Sequence, residues 1–99
     1  MMTKMDIKNT LLKNRGVLKK YKVNKIGIFG SYVSGKVRKK SDIDLLVEFK
    51  ETIDLFDFVH LVDEIQRLLK KKVDLATPET IKPYIKTKIL NEVEWIEGL

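Results

Sequence analysis

The spacing of apolar residues switches along the chain between helical and strand periods, and this alternation predicts the secondary structure. Residues 5–20 carry apolar side chains three and four positions apart, which predicts an opening helix. Gly16 weakens this helix in its second half. Its predicted apolar stripe is Ile7, Leu11, Leu18 and Tyr21.

Two further helices are predicted in the second half of the chain. The clearest pattern follows Asp54, a capping residue type, and covers residues 55–69. The last helix starts at Thr77-Pro78, and Pro83 is a point at which it can break. The first stripe is Leu55, Val59, Val62, Ile65 and Leu69, widened by Phe58 and Leu68, and the second is Ile81, Ile85, Ile89, Val93 and Ile96.

Three short apolar runs predict strands, at residues 25–29, 41–49 and 72–76. Residues 31–35 predict a turn or short helix with Ser31 as its N-cap. The resulting order of helix, strand, turn, strand, helix, strand and helix predicts an α/β (α+β) fold, a small sheet flanked by helices. Since no repeat, low-complexity tract or linker interrupts the pattern, residues 1–99 are expected to form one domain.

Composition narrows the class of protein. The net charge of +6 is compatible with polyanionic partners such as nucleotides. A lysine-rich surface also keeps small proteins soluble, and we favour this explanation of the overall charge. Basic residues are concentrated locally at Lys36, Arg38, Lys39 and Lys40. The lack of cysteine excludes disulfides and thiolate metal sites. No apolar run suits a signal peptide or a membrane span, so we expect a cytoplasmic protein without a membrane partner.

Aspartates at alternate positions of the second predicted strand suggest a metal site. Asp42 and Asp44 project from the face opposite Ile43 and Leu45. Two adjacent anions are unfavourable unless a cation holds them together. If the third strand lies beside the second, Asp74 joins them and forms an oxygen-rich site suited to two Mg²⁺ ions, or to Mn²⁺. The simpler alternatives are a turn or N-cap role for Asp42 and a strand-edge surface position for Asp74.

Other motifs and isolated residues carry weaker signals. Residues 30–36, GSYVSGK, match most of a Walker A loop, but Val37 stands where a Ser or Thr must hold Mg²⁺, and a strand follows instead of a helix. Residues 42–47 fail as an EF-hand because Leu46 and Val47 replace a ligand and a glycine. His60 is interpreted as a helix-surface residue and Trp95 as a core anchor.

The pattern G-S-x-x-x-G from Gly30, followed by S-D-I-D-L-x-V from Ser41, resembles the signature of the DNA polymerase β-like nucleotidyltransferase superfamily. The short length and the later lone Asp74 are similar to its minimal nucleotidyltransferase (MNT) branch. The resemblance extends from about Lys25 to the final helix and implies a nucleotidyltransferase fold.

The resemblance also implies roles for the metal site. Asp42 and Asp44 match the pair that binds both catalytic metals. Asp74 matches the third carboxylate, which completes one metal site and helps to deprotonate the acceptor hydroxyl. All three are therefore predicted to be catalytic and metal-binding residues.

Phosphate binding is implied for the glycine turn. Gly30 and Ser31 match the pair that grips the triphosphate of the incoming ATP. Many minimal members have an arginine before the second glycine of the loop, where this chain has Ser34. Lys36 and Arg38 are candidates to replace that charge, and the remaining predicted nucleotide-binding residue is Ser41.

Members similar to this chain are typically encoded with a HEPN-domain toxin, often an RNase, and act as its antitoxin by transferring AMP to a tyrosine hydroxyl. The resemblance therefore implies a Mg²⁺-dependent protein adenylyltransferase that forms a hetero-oligomer with a HEPN toxin. The alternative is an antitoxin that neutralises its partner by binding alone, with a vestigial nucleotide site. Direct nucleic-acid binding ranks last, because no stacking aromatic residues interleave the basic ones.

Overall fold

The computed structural model describes residues 2–38 and 41–99. Its strands are β1 (Val23–Phe29), β2 (Ile43–Phe49), β3 (Val73–Ala76) and β4 (Glu94–Trp95). Its helices are α1 (Lys4–Lys13), α2 (Arg15–Lys20), α3 (Ser31–Ser34), α4 (Leu55–Leu69) and α5 (Pro83–Glu92), with a 3₁₀ turn at Pro78–Thr80. The strands form one mixed sheet in the order β3-β2-β1-β4. The predicted fold class, a small sheet flanked by helices, is confirmed.

The central strand β2 is antiparallel to β1 and parallel to β3. Alternate residues of β2 face the hydrophobic core, and Ile43, Leu45 and Val47 are fully buried there. Strands β1 and β3 and helices α1, α2 and α4 supply most of the other core residues. No helix within residues 2–38 and 41–99 has the length and apolar character needed to cross a bilayer.

The predicted opening helix is interrupted, but at a different residue from the one expected. Asn14 has non-helical backbone angles (φ −113°, ψ 28°) and separates α1 from α2, whereas Gly16 lies inside α2. The side-chain amide of Asn14 donates to the carbonyl oxygen of Thr10 (2.8 Å) and so stabilises the end of α1. The predicted stripe of Ile7, Leu11, Leu18 and Tyr21 is buried, as expected.

Helix α4 has the predicted bounds, but part of its predicted apolar stripe is wrong. The side chain of Asp54 caps it by accepting from the Asp57 N–H (2.8 Å). Leu55 and Val59 are 73% and 55% exposed, because the first turns of the helix lie outside the core. The buried face begins further along the helix and consists of Leu61, Ile65 and Leu69.

The C-terminal segment divides at Pro83, where a break was predicted, but it differs from the prediction on both sides of that residue. Pro78–Thr80 forms only a 3₁₀ turn, Pro83 begins α5, and α5 ends at Glu92. Residues 94–95 pair with β1 as a strand, so Val93, Trp95 and Ile96 do not belong to a helical stripe. Gly27 makes this pairing possible, because a Cβ at that position would lie 2.7 Å from Val93 Cγ2.

Candidate active site

Asp44 lies at the centre of the candidate site because its strand has a neighbour on each side. In the antiparallel pair, Asp44 is opposite Phe29, the last residue of β1. In the parallel pair, Asp44 is opposite Asp74 of β3. Residues directly opposite each other in a sheet project from the same face, so the two carboxylates are neighbours on the face away from the core. The structure therefore places β3 beside β2, as the metal-site prediction requires.

The chain turns sharply after β1, and Gly30 allows this turn to pack against Asp44. Gly30 has φ +73° and ψ −144°, a conformation essentially restricted to glycine. A side chain at this position would also collide with Asp44 Oδ2. The Gly30 carbonyl accepts from the N–H groups of Val33 (3.1 Å) and Ser34 (3.0 Å), which begins α3 directly after the turn. Ser31 follows the turn as the first residue of α3, so Gly30, and not Ser31 as predicted, occupies the N-cap position.

Negative charge is concentrated at this point of the sheet. The pKa of the Asp44 carboxyl is raised from 3.8 to about 6, mainly because the carboxyl is partly buried and also because the charges of Asp74 and Asp42 lie nearby. Asp42 itself lies just before β2 and is exposed, and Asp74 is exposed as well. Three carboxylates that repel one another on an accessible face are a donor set that suits a hard divalent cation.

The carboxylates lie side by side but do not form a closed cage. Within residues 2–38 and 41–99, no three histidine, aspartate, glutamate or cysteine side chains stand in a metal-holding geometry. The side chains of Asp42 and Asp74 are exposed, so both are free to rotate toward a cation, whereas Asp44 is fixed between strands and turn. The residues present therefore suit a divalent cation by their donor type and by the neighbouring sheet positions of Asp44 and Asp74.

The segment between α3 and β2 carries exposed polar and basic side chains. Ser41 Oγ accepts from the Arg38 N–H (2.8 Å), and the Ser41 N–H donates to the Arg38 carbonyl (2.9 Å), so Ser41 closes this loop. Lys36 and Arg38 are exposed. Lys39 and Lys40, the remainder of the predicted basic cluster, lie outside the described residues. Ser34 is exposed, and its hydroxyl donates to the Ser31 carbonyl (3.4 Å).

The sequence pattern did not indicate one side chain that reaches the turn. Glu92, the last residue of α5, accepts from the Gly30 N–H through Oε1 (3.4 Å). No sequence motif includes Glu92, and the strand that follows it was not predicted. His60 is exposed on α4, which agrees with its predicted helix-surface position. Trp95 was predicted to anchor the core, but it is only partly buried on the edge strand β4, and Lys25 Nζ lies 4.3 Å from its ring centre.

The sequence and the fold are similar to those of known proteins. Residues 7–97 match the family described as Polymerase beta, Nucleotidyltransferase. The chain belongs to this nucleotidyltransferase family. A relative in Methanocaldococcus jannaschii, named "Putative protein adenylyltransferase MJ0128", is 47% identical over 98 residues, which cover 97% of this chain and 100% of the relative. The resemblance recognised in the sequence, and the prediction of a nucleotidyltransferase, are thus confirmed.

Solved structures share the fold of this nucleotidyltransferase. A crystal structure described as a toxin-antitoxin with AMP-PNP has a TM-score of 0.74 and 24% identity, over 93% of this chain and 73% of the other. A second structure is described as a tri-AMPylated Shewanella oneidensis HEPN toxin in complex with MNT antitoxin. It has a TM-score of 0.66 and 21% identity, over 94% of this chain and 73% of the other. At these identities the likeness is one of fold.

Asp44 is expected to make a contribution to the stability of the metal-free nucleotidyltransferase that falls as the pH rises from about 4 to about 6. The pKa of Asp44 is raised from 3.8 to about 6, so the folded state binds this proton more tightly than the unfolded state throughout that interval. The full shift corresponds to about 3 kcal/mol, and we expect about 1 kcal/mol because solvent screens a partly exposed carboxyl.

Urea denaturation of wild type and Asp44→Asn at pH 4, 6 and 8 in the presence of a chelator tests this effect. The variant should be less stable than, or equal to, wild type at pH 4 and more stable by about 1 kcal/mol at pH 8. If the variant is less stable than wild type by the same free energy of unfolding at pH 4 and at pH 8, the charge of Asp44 does not destabilise the fold.

Proposed function

We propose that this nucleotidyltransferase transfers AMP from ATP to a hydroxyl group, that of a tyrosine, on a HEPN-domain toxin, and thereby acts as the antitoxin of that protein. The observation that carries the proposal is the pairing of Asp44 with Asp74 beside the Gly30 turn, because it joins a cation-binding carboxylate group to a turn suited to phosphate. The names of the M. jannaschii relative and of the Shewanella complex support the choice of a protein acceptor.

The carboxylates would hold the metal ions of the reaction. Asp42 and Asp44 would bind two Mg²⁺ ions, and Asp74 would be the third ligand of one of them; Mn²⁺ has the same oxygen preference. Bound Mg²⁺ supplies positive charge to the phosphates and lowers the pKa of a coordinated hydroxyl. The raised pKa of Asp44 has partial burial as its main cause and repulsion by Asp74 and Asp42 as its second, and it supports this assignment because a cation would offset that repulsion.

The nucleotide would approach the same face of the sheet. Ser31, which follows the Gly30 turn, offers its hydroxyl and the backbone of α3 to the triphosphate. Lys36 and Arg38 are exposed and can reach phosphate oxygens from the loop, while Ser41 holds that loop closed. These basic side chains would supply the charge that an arginine at position 34 provides in other minimal members.

The transfer forms a bond between the acceptor oxygen and the α-phosphorus and breaks the bond from that phosphorus to the bridging oxygen of the β-phosphate. Pyrophosphate leaves, and the hydroxyl proton passes to a carboxylate of the site, with Asp74 the proposed acceptor. Asp74 is exposed, so a side chain of a second protein can reach it. The acceptor therefore docks from outside as part of a hetero-oligomer.

Labelled ATP tests whether transfer occurs and which phosphate of ATP is transferred. The HEPN-domain protein that co-purifies with this chain is incubated with Mg²⁺ and ATP that carries radiolabel in either the α- or the γ-phosphate. We expect label on the partner from α-labelled ATP only, and no label when a chelator removes the metal. Label from γ-labelled ATP would indicate a kinase, and absence of both labels with folded protein would rule out group transfer.

A further inference from the structure

The C-terminal strand reaches the nucleotide turn through a side chain. In the antiparallel pair of β1 with β4, Gly27 is opposite Trp95 and Ile28 is opposite Glu94. The Ile96 N–H donates to the Ile26 carbonyl (2.9 Å), so the ladder continues at its other end. Extending the same register toward the turn places Glu92 opposite Gly30. The Glu92 carboxylate accepts a hydrogen bond from the N–H of this opposite residue.

The Glu92 bond completes the restraint of Gly30 on three sides. The Gly30 N–H donates to Glu92 Oε1 (3.4 Å), its carbonyl accepts from the first N–H groups of α3, and its Cα packs against the Asp44 carboxylate. The backbone at Gly30 is in a conformation that few residues adopt, so it depends on such neighbours to persist. Ser31 follows directly, and its position is set by the same peptide planes.

We propose that Glu92 is a positioning residue for nucleotide binding: its carboxylate holds the Gly30 N–H and thereby fixes the turn that presents Ser31 to the triphosphate. The inference rests on the proposed function in that it takes Ser31 to contact the nucleotide. Without an acceptor at position 92, a partly buried N–H loses its partner, and the turn becomes free to sample other conformations. Glu92 does not touch the reacting atoms in this role.

The hydrogen bond, and not the charge, is the property that matters. A negative charge beside a phosphate site is unfavourable for ATP, so charge alone gives no reason for glutamate at this position. Glutamine offers the same acceptor at the same length without the charge. Glu92→Gln should therefore preserve the turn and bind nucleotide at least as tightly as wild type, whereas Glu92→Ala should lose both properties.

The test combines amide exchange with nucleotide binding and does not depend on turnover. NMR measures the exchange rate of the Gly30 amide in the absence of nucleotide and partner, and calorimetry measures the Kd for AMP-PNP with Mg²⁺. For Glu92→Ala we expect roughly tenfold faster exchange and a roughly tenfold higher Kd. Glu92→Gln should stay within about twofold of wild type, as should the control Asn91→Ala, which changes the adjacent exposed residue of α5.

Unchanged exchange and Kd in Glu92→Ala would overturn the inference, and so would a Glu92→Gln variant as defective as Glu92→Ala. The amide exchange separates this inference from the proposed function. If Glu92→Ala releases the Gly30 amide while wild type transfers no AMP, the positioning of the turn stands and adenylyl transfer is refuted. If wild type transfers AMP and Glu92→Ala leaves both readouts unchanged, adenylyl transfer stands and the positioning role of Glu92 is refuted.

Discussion

Asp44→Asn is expected to slow AMP transfer by about a thousandfold, or roughly 4 kcal/mol of transition-state stabilisation. Asp44 is the one carboxylate of the three that the sheet fixes from both sides, between Phe29 and Asp74. Asparagine has nearly the same shape, so the strand pairing should survive, but it lacks the negative charge that a shared metal ligand supplies. Transfer is measured as the initial rate of partner labelling at saturating ATP and Mg²⁺.

A matched aspartate on α4 serves as the control for this substitution. Asp63 is exposed and pairs with Arg67 (2.7 Å) on the helix surface, so Asp63→Asn should change transfer less than twofold. The same variants separate catalysis from binding. If Asp44→Asn still co-purifies with the partner but no longer neutralises it, transfer is required. Full neutralisation by Asp44→Asn would favour an antitoxin that acts by contact alone.

Gly30→Ala is expected to destabilise the fold by about 2–4 kcal/mol and to reduce transfer at least a hundredfold. The substitution forces alanine into φ +73°, and its Cβ collides with the Asp44 carboxylate. The protein can relieve this collision only by moving Asp44 or the turn, and both positions define the site. Urea denaturation gives the free energy of unfolding, and the labelling assay gives the rate.

Two other glycines separate backbone strain from the collision. Gly35 also has a positive φ (+79°), but a Cβ there meets nothing within 4 Å, so Gly35→Ala should cost only about 1 kcal/mol and leave transfer largely intact. Gly16 lies in α2 without a positive φ and with open space around it, so Gly16→Ala should stabilise the protein by up to about 1 kcal/mol. Equal losses of activity in Gly30→Ala and Gly35→Ala would show that contact with Asp44 is not the cause.

Local patterns predicted the parts of the molecule that depend on neighbouring residues in the chain. The alternation of β2, the cap at Asp54 and the glycine turn follow from spacing and residue type alone. The pairing of Asp74 with Asp44 needed one further assumption, that β3 lies beside β2, and the structure bears it out. How these residues bind metal and nucleotide stays a prediction.

Features that depend on distant partners were not predictable. Strand β4 has only two residues and exists because β1 offers an unpaired edge, with Gly27 making room for it. Its apolar spacing continued that of α5, so the sequence favoured a longer helix. For the same reason no sequence pattern indicated Glu92, although its carboxylate accepts from the Gly30 N–H. Leu55 and Val59 fit a helical stripe, yet the core ends before it reaches them.

The intact mass of the HEPN-domain partner, measured after incubation with this chain, ATP and Mg²⁺, tests the central claim most directly. The claim predicts a gain of one or more adenylyl groups with wild-type protein, placed on tyrosine by fragmentation, and no gain with Asp44→Asn. A partner that is fully neutralised by wild type while its mass remains unchanged would contradict it.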